Sequence, residues 1–332
     1  MQSTSKQRRK LLQTAGAVLA APFFAHSVQA QDRFPRGRPV TLISPWAPGG
    51  IGDVTARRVA QGLTSMGGVQ VTVDNKAGAN GNIGAAAVTH APPDGYTLVL
   101  TLDDGLITGR AARFQMGFDP LTDLTALARI GVSDIYWTLK GDSPIKNIGE
   151  FVAYAKSNPN KLNFGSNGIG SSPHLALELL NNSAGIKITH VPFRGGAQAV
   201  PELLASRIDA LMATPALALQ HYRTGTMKPI AVVGATRSPL YPELPTIAES
   251  GFPDVAISIG VGLFGPKGMS RALVEQINQD ARNFVTNAEV KARFISEGFA
   301  ISTMSAVEYQ AFLLKEVTRM EPLVKRINFH QS

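Results

Sequence analysis

The sequence contains no cysteine. That absence excludes a disulfide framework, thiolate-held zinc or iron–sulfur centres, a thiol nucleophile and a lipid-modified N-terminal cysteine. Charge is sparse, at 17% of residues, and aromatics supply only 7%, so the composition is neither that of a charged disordered chain nor that of a coiled coil. Past the N-terminus no uninterrupted apolar run approaches the ~18 residues of a membrane span. What is abundant is glycine and proline, 32 and 21 residues, together with 44% hydrophobic residues. A loop-rich soluble globular protein is implied, and 332 residues at the usual ~100–200 per domain suggest two domains.

The first thirty residues stand apart. Lys6, Arg8, Arg9 and Lys10 form a basic region, Leu11 to Phe24 is mostly apolar, and Val28-Gln29-Ala30 offers small residues around a cleavage point after Ala30. This is the pattern of a secretory signal, and its apolar stretch is too short for the ~20 residues of a spanning helix. Arg8-Arg9 before Lys10-Leu11-Leu12 is similar to a twin-arginine signal, except that Gln7 stands where Ser or Thr is usual. Residues 1–30 hold four basic and no acidic residues, so removing them lowers the formal charge from +8 to +4. No basic run interleaved with aromatics remains, which argues against nucleic acid and fits a small anionic ligand.

The mature chain alternates strands and helices, as a mostly parallel sheet covered on both faces requires. Arg38–Ser44, Val69–Val73 and Tyr96–Leu100 read as strands, with helices over Asp53–Leu63 and from Gly78 to about His90 between them. The second half repeats the pattern: a helix over Ile148–Ser157, then strands at Leu162–Phe164, Lys187–Val191, Ile208–Met212 and Pro229–Val233. Helices run from Ser172-Pro173 to about Asn181 and through Leu204. Ser172 and Pro173 suit an N-cap and the first helical position. Thr246-x-x-Glu249 reads as a capping box for a short helix, and Ser270 and Ser305-x-x-Glu308 open two C-terminal helices.

Three glycine-rich strand-to-helix turns dominate: Pro45-Trp-Ala-Pro-Gly-Gly50, Gly78-Ala-Asn-Gly-Asn-Ile-Gly84 and Gly165-Ser-Asn-Gly-Ile-Gly170. Each puts bare backbone N–H groups at a helix N-terminus, where unpaired donors and the helix dipole attract a carboxylate or phosphate. They serve equally well as plain turns. Neither Gly-x-x-x-x-Gly-Lys-Ser/Thr nor Gly-x-Gly-x-x-Gly occurs, which disfavours nucleotide enzymes. Apart from His26 in the leader, the histidines (His90, His174, His190, His221 and His330) lie scattered without metal-binding spacing. There is no Gly-x-Ser-x-Gly elbow. Asp103-Asp104 is read as a helix cap or turn rather than a metal site.

Taken in order, these segments resemble a known family. Ala47-Pro-Gly-Gly50 with Asp53, Asp74-Asn75 before the Gly78–Gly84 turn, Pro93-Asp-Gly-Tyr-Thr97, Gly168-Ile-Gly-Ser171 with His174-Leu175, His190-Val-Pro-Phe-Arg-Gly195 and Leu244–Gly251 are similar to those of the Bug family. Its members are TctC-type periplasmic solute-binding proteins of tripartite tricarboxylate transporters. The resemblance implies an α/β, two-lobe, Venus-flytrap fold of mostly parallel sheets closing on a small organic carboxylate. It implies residues 31–132 plus 257–332 as one lobe and 133–256 as the other, with a hinge near Gly131–Leu139 and Val255–Leu263. Carried over by position, it implies ligand contacts from Trp46, Pro48, Gly49 and Gly50 in the first lobe. In the second it implies Ser166, Gly170, Ser171 and His174, with Gly195 and Thr214 nearby. Asp53 reads mainly as a helix cap and His174 as structural support. No cofactor and no metal are implied; the expected partners are permease subunits, and the expected state is a monomer.

The chain departs from the family where ligand identity is set. Ile51-Gly52 replaces the usual Ser-Thr, Ala213-Thr214 stands where an Asp is common, and Leu102-Asp103-Asp104-Gly105 replaces a small segment. If Asp103 or Asp104 reaches the cleft, it would repel a dianion and favour a carboxylate that also carries an amine or hydroxyl; Asp103 joins the candidate contacts. Two other functions remain open at this point: a secreted α/β hydrolase, and a sensor that reports its ligand to a membrane receptor.

Overall fold

Two sheets fed by strand–helix units organise the chain in the computed structural model, which describes residues 34–329 except 35, 36, 47, 49, 50, 68, 69, 79, 80, 194, 235 and 328. The leader, Gly49, Gly50 and Arg194 therefore lie outside the described residues. The first sheet is built from β1 (Val40–Ser44), β2 (Val71–Asn75), β3 (Thr97–Leu102), β4 (Leu124–Ser133), β10 (Ile259–Pro266) and β11 (Phe299–Ile301). Its order is β11-β4-β10-β3-β1-β2. The second holds β5 (Tyr136–Lys140), β6 (Asn163–Ser166), β7 (Thr189–Pro192), β8 (Ala210–Ala213) and β9 (Met227–Val232), ordered β7-β6-β8-β5-β9.

The mostly parallel sheets expected from the alternating pattern are found on one side of each sheet only. β1 pairs parallel with β2 and β3, and β6 with β7 and β8, whereas β10 and β5 run antiparallel to both their neighbours. The antiparallel strands flank the two crossings between sheets. β4 leaves the first sheet and β5 enters the second after only Asp134 and Ile135, and the chain returns between β9 and β10. There, Val233 N–H donates to the Ile135 carbonyl at 2.8 Å and Ile257 N–H to the Val233 carbonyl at 2.9 Å. Both crossings thus run side by side.

The strand sequences explain their positions. Three of the five residues of β1 are aliphatic and buried, with Leu42 in one apolar cluster and Ile43 in another, as the period-2 alternation of a covered central strand demands. β2 alternates half-buried and exposed residues at the sheet edge. The larger cluster joins Ile43, Val99 and Ile107 to Trp137, Phe151, Phe164 and Leu175 of the second sheet's region. Each fully buried aliphatic side chain contributes roughly 1.5–3 kcal/mol.

The helices that matter here are α1 (Ile51–Gly67), α2 (Asn82–Thr89), α3 (Asp103–Ala111), α4 (Ile148–Ser157), α5 (Ser172–Ala184), α6 (Gly196–Leu204) and α7 (Pro215–Arg223). At the C-terminus lie α8 (Arg271–Thr286), α9 (Ala288–Ser296) and α10 (Ala306–Arg326), so the two expected helices are three, with α9 capped by Asn287. Thr246 and Glu249 do exchange capping-box bonds, at 2.8 and 3.0 Å, but around a turn; the nearest helical residues are a short 3-10 stretch at Pro253–Val255. The N-cap of α5 is Ser171, and Ser172 is already helical. Among the described residues no helix is long and apolar enough to cross a membrane.

Candidate functional site

Each sheet offers one edge where parallel strands end and helices begin. In the first sheet β1, β2 and β3 lead into α1, α2 and α3; in the second β6, β7 and β8 lead into α5, α6 and α7. Three helix N-termini on each side present unpaired N–H groups and the positive ends of helix dipoles. The carboxyl ends of parallel strands are where open α/β sheets hold ligands.

On the first edge the acids are tightly held. Asp53, buried in the first turn of α1, accepts from Arg57 Nε at 3.0 Å and from Asn75 Nδ2 at 2.8 Å. Asn75 Nδ2 also donates to the Trp46 carbonyl at 2.9 Å. Asp53 thus sits in the first turn of α1 and, through Asn75, ties the loop carrying Trp46 and the exposed Pro48 to the end of β2. Asp103 is fully buried. Its Oδ2 meets Arg129 Nε at 2.7 Å and its Oδ1 accepts the Gly260 N–H at 2.8 Å, while Arg129 reaches Ser258 Oγ at 2.9 Å and lies over the Phe312 ring. Asp103 was expected among the ligand contacts, yet the structure engages both its oxygens in locking α3 to β4 and β10. The residue at this edge that faces the other sheet's helices is its neighbour, Asp104. Ser172 Oγ, at the start of α5, donates to Asp104 Oδ2.

The second edge carries hydroxyls and imidazoles. Ser166 Oγ, at the end of β6, accepts the Gly168 N–H at 3.0 Å and lies 2.5 Å from His190 Nε2. His190 stacks on His174 with ring centres 3.8 Å apart. His174 Nδ1 accepts the Gly170 N–H at 3.2 Å, which fixes the unprotonated nitrogen. Burial lowers both imidazoles from 6.5 to about 4, His190 adding to the effect on His174. Gly170 has φ +79°, and a Cβ there would stand 2.7 Å from the Phe114 ring, so glycine is needed both for conformation and for space. Ser171 Oγ donates to the Gly168 carbonyl at 2.7 Å instead of capping α5. Gly195 and Thr214 sit at the N-caps of α6 and α7.

The structure thus brings Ser166, Gly170, Ser171 and His174 into one cluster, leaves Gly195 and Thr214 at neighbouring helix starts, and joins the two edges through Asp104 and Ser172. Ser172, which in the sequence reads only as a helix cap, and His190, which reads as a lone strand-end histidine, both join this region. The available signal for His190 was its place one strand away from the Gly165–Gly170 turn. Among the described residues no group of three or more acidic, histidine or cysteine side chains is arranged to hold a metal.

Comparison with known proteins decides the family. The model of the tripartite tricarboxylate transporter family receptor, TctC, matches residues 55–329. The chain belongs to this family. A curated relative from Pseudomonas sp. (strain P51), the UPF0065 protein in the tcbD-tcbE intergenic region, is 33% identical over 98% of this chain and 96% of its own. The periplasmic binding protein BugD superposes with a TM-score of 0.78 at 29% identity, covering 90% of this chain and 100% of BugD. An R. palustris protein solved with adipate gives 0.80 at 29% identity, covering 89% and 99%. The TctC family is one of periplasmic solute-binding receptors, not enzymes, and the fold is the α/β two-lobe fold of its members, with two mixed sheets.

Proposed function

We propose that this TctC receptor captures a small organic carboxylate between its two edges of helix N-termini and delivers it to the membrane permease of a tripartite transporter. The observation that carries the reading is that three strand–helix turns end each sheet and that the two edges meet at Asp104 and Ser172, since a carboxylate reached from both sides is satisfied by backbone N–H groups at helix starts. The adipate in the R. palustris relative supports a carboxylate as the ligand class. Residues 31–132 with 257–332 form one lobe and 133–256 the other, and the paired crossings at Asp134–Ile135 and Val233–Ser258 are the hinge. Trp46, Pro48, Gly49 and Gly50 contact the ligand from the first lobe. Ser166, Gly170, Ser171, His174, Gly195 and Thr214 line the second. Residues 1–30 direct export to the periplasm, and the mature protein works as a monomer.

A thermal-shift panel on residues 31–332, with mono-, di- and tricarboxylates, aromatic acids and amino acids, tests this. A ligand present at ~100 times its Kd adds ~2.7 kcal/mol of stability, so one acid is expected to raise the Tm clearly and to be recovered unchanged. Chemical conversion of the hit would overturn the receptor reading.

A further inference from the structure

Asp103 and Asp104 are adjacent but differently placed. Asp103 has both oxygens bonded within the first sheet's region. Asp104 is 7% exposed, its Oδ2 takes the Ser172 hydroxyl, and its Oδ1 is buried with no hydrogen-bond partner among the described residues. Two more buried oxygens at the same edge share that condition: Ser44 Oγ, at the end of β1, and Asn82 Oδ1, at the start of α2. That start packs on the same strand ends, since a Cβ on Gly81 would lie 3.0 Å from Thr101 Oγ1 and 3.6 Å from Pro45. A buried acceptor left without a donor costs ~1–3 kcal/mol and more when charged. An edge that keeps several of them is built to receive donors from outside.

A carboxylate and an amide oxygen can only accept. A plain dicarboxylate brings further acceptors to this edge, and its charge adds to that of Asp104. We propose that Asp104 determines which acids the receptor takes, its free Oδ1 receiving a donor carried by the ligand, so that an acid bearing an ammonium or hydroxyl group is preferred over the plain dicarboxylate of equal length. This rests on the receptor reading above. The charged and titratable groups set against Asp104 are Asp103 on α3, Tyr309 on α10 and, through its pair with Asp103, Arg129 on β4; α5 presents the uncharged Ser172. Burial foremost raises the carboxyl to about 7, the Ser172 hydrogen bond opposing and the charge of Asp103 adding. Selection for an ammonium therefore strengthens as pH rises past neutrality.

The test measures binding by calorimetry to residues 31–332 and to their Asp104→Asn variant at pH 6 and pH 8. The probes are matched acids: succinate, malate and aspartate; glutarate, 2-hydroxyglutarate and glutamate; adipate and 2-aminoadipate. In the parent, the donor-bearing acid of the bound length is expected to win by about tenfold or more at pH 8, the worth of one charge-assisted hydrogen bond, and by less at pH 6. In the variant the members of a set should bind within about twofold of each other and lose their pH dependence. Asp104→Ser provides the same reading should the amide disturb the Ser172 contact. An unchanged preference in both variants overturns the inference and leaves the receptor intact. Binding of no acid by any of the proteins overturns the receptor reading and the inference with it.

Discussion

The two edges that face each other reach the same geometry with opposite chemistry. The first carries carboxylates at its helix starts, Asp53, Asp103 and Asp104; the second carries Ser166, Ser171, Ser172 and the stacked pair His174 and His190, which burial keeps neutral. Helix N-termini favour negative charge, so acids on one side are a natural complement, yet three of them beside the proposed anion site call for restraint. The first edge applies it by engagement: Asp53 holds Arg57 and Asn75, and Asp103 holds Arg129 and Gly260. Only Asp104 keeps an oxygen back. On the reading proposed above, the second edge would supply generic donors while the first would supply discrimination.

The strongest way to break this comparison is to remove the anchor of Asp103. Arg129→Met leaves a fully buried carboxylate without its cation, and breaking such a pair costs ~3–5 kcal/mol. Urea unfolding should show a loss of that size, with most of it recovered when Asp103→Asn is added. Ligand preference should not change in the double variant. If it does, Asp103 and Asp104 share one role and the division between them fails.

The pH dependence of stability separates the edges next. Asp104 is raised from 3.8 to about 7, so the folded protein keeps a proton that the unfolded chain has released; this contribution is complete below about 4 and is lost as pH rises through 7. The histidines run the other way. Lowered from 6.5 to about 4, they contribute fully above 6.5, and that stability is lost as pH falls through 4. Asp104→Asn should therefore be more stable than the parent at pH 8, by up to a few kcal/mol, and indistinguishable from it near pH 4. His190→Gln should flatten the decline between pH 6.5 and 4. Melting curves across that range check both slopes, and parallel curves for parent and variants would refute the assignment.

A smaller effect on stability, with a large one on binding, is expected at Gly170. A valine there must adopt positive φ at a cost of ~1–2 kcal/mol and displace Phe114, which belongs to the first sheet's side. The protein should stay folded, melt lower and lose its ligand. Retained binding would remove the Gly165–Ser171 turn from the site.

Much of this is legible in the sequence, because glycine turns and aliphatic runs are local signals. Ile148–Ser157 was placed to the residue, and the Ser305–Glu308 box opens α10 as read. The Thr246–Glu249 box misled because its reciprocal bonds need only one turn, and Pro253 follows too soon for a helix to grow. Asp103 and Asp104, readable as a helix cap or turn, are the first two residues of α3, whose Leu106, Ile107 and Ala111 bury a helical face. The partners of Asp103 and Asp104 could not be read at all. Arg129 lies on β4 and Ser172 on α5, and only tertiary packing decides which of two adjacent carboxylates meets which.

The same lesson predicts the smallest effect, at the neighbouring pair Ser171 and Ser172. Ser171 Oγ bonds the Gly168 carbonyl within its own turn, so Ser171→Ala loses one neutral hydrogen bond, worth ~0.5–1.5 kcal/mol, and should leave ligand preference alone. Ser172→Ala removes the side-chain donor on Asp104 Oδ2. Its Asp104 should titrate higher than in the parent, and the pH at which donor-bearing acids gain their advantage should move up with it. Two serines side by side, one acting on the turn and one on selection, would then repeat on the second edge the division between Asp103 and Asp104 on the first. Equal effects of the two alanines on the pH profile would show instead that the turn moves as a unit and that Asp104 senses its position rather than the Ser172 hydroxyl.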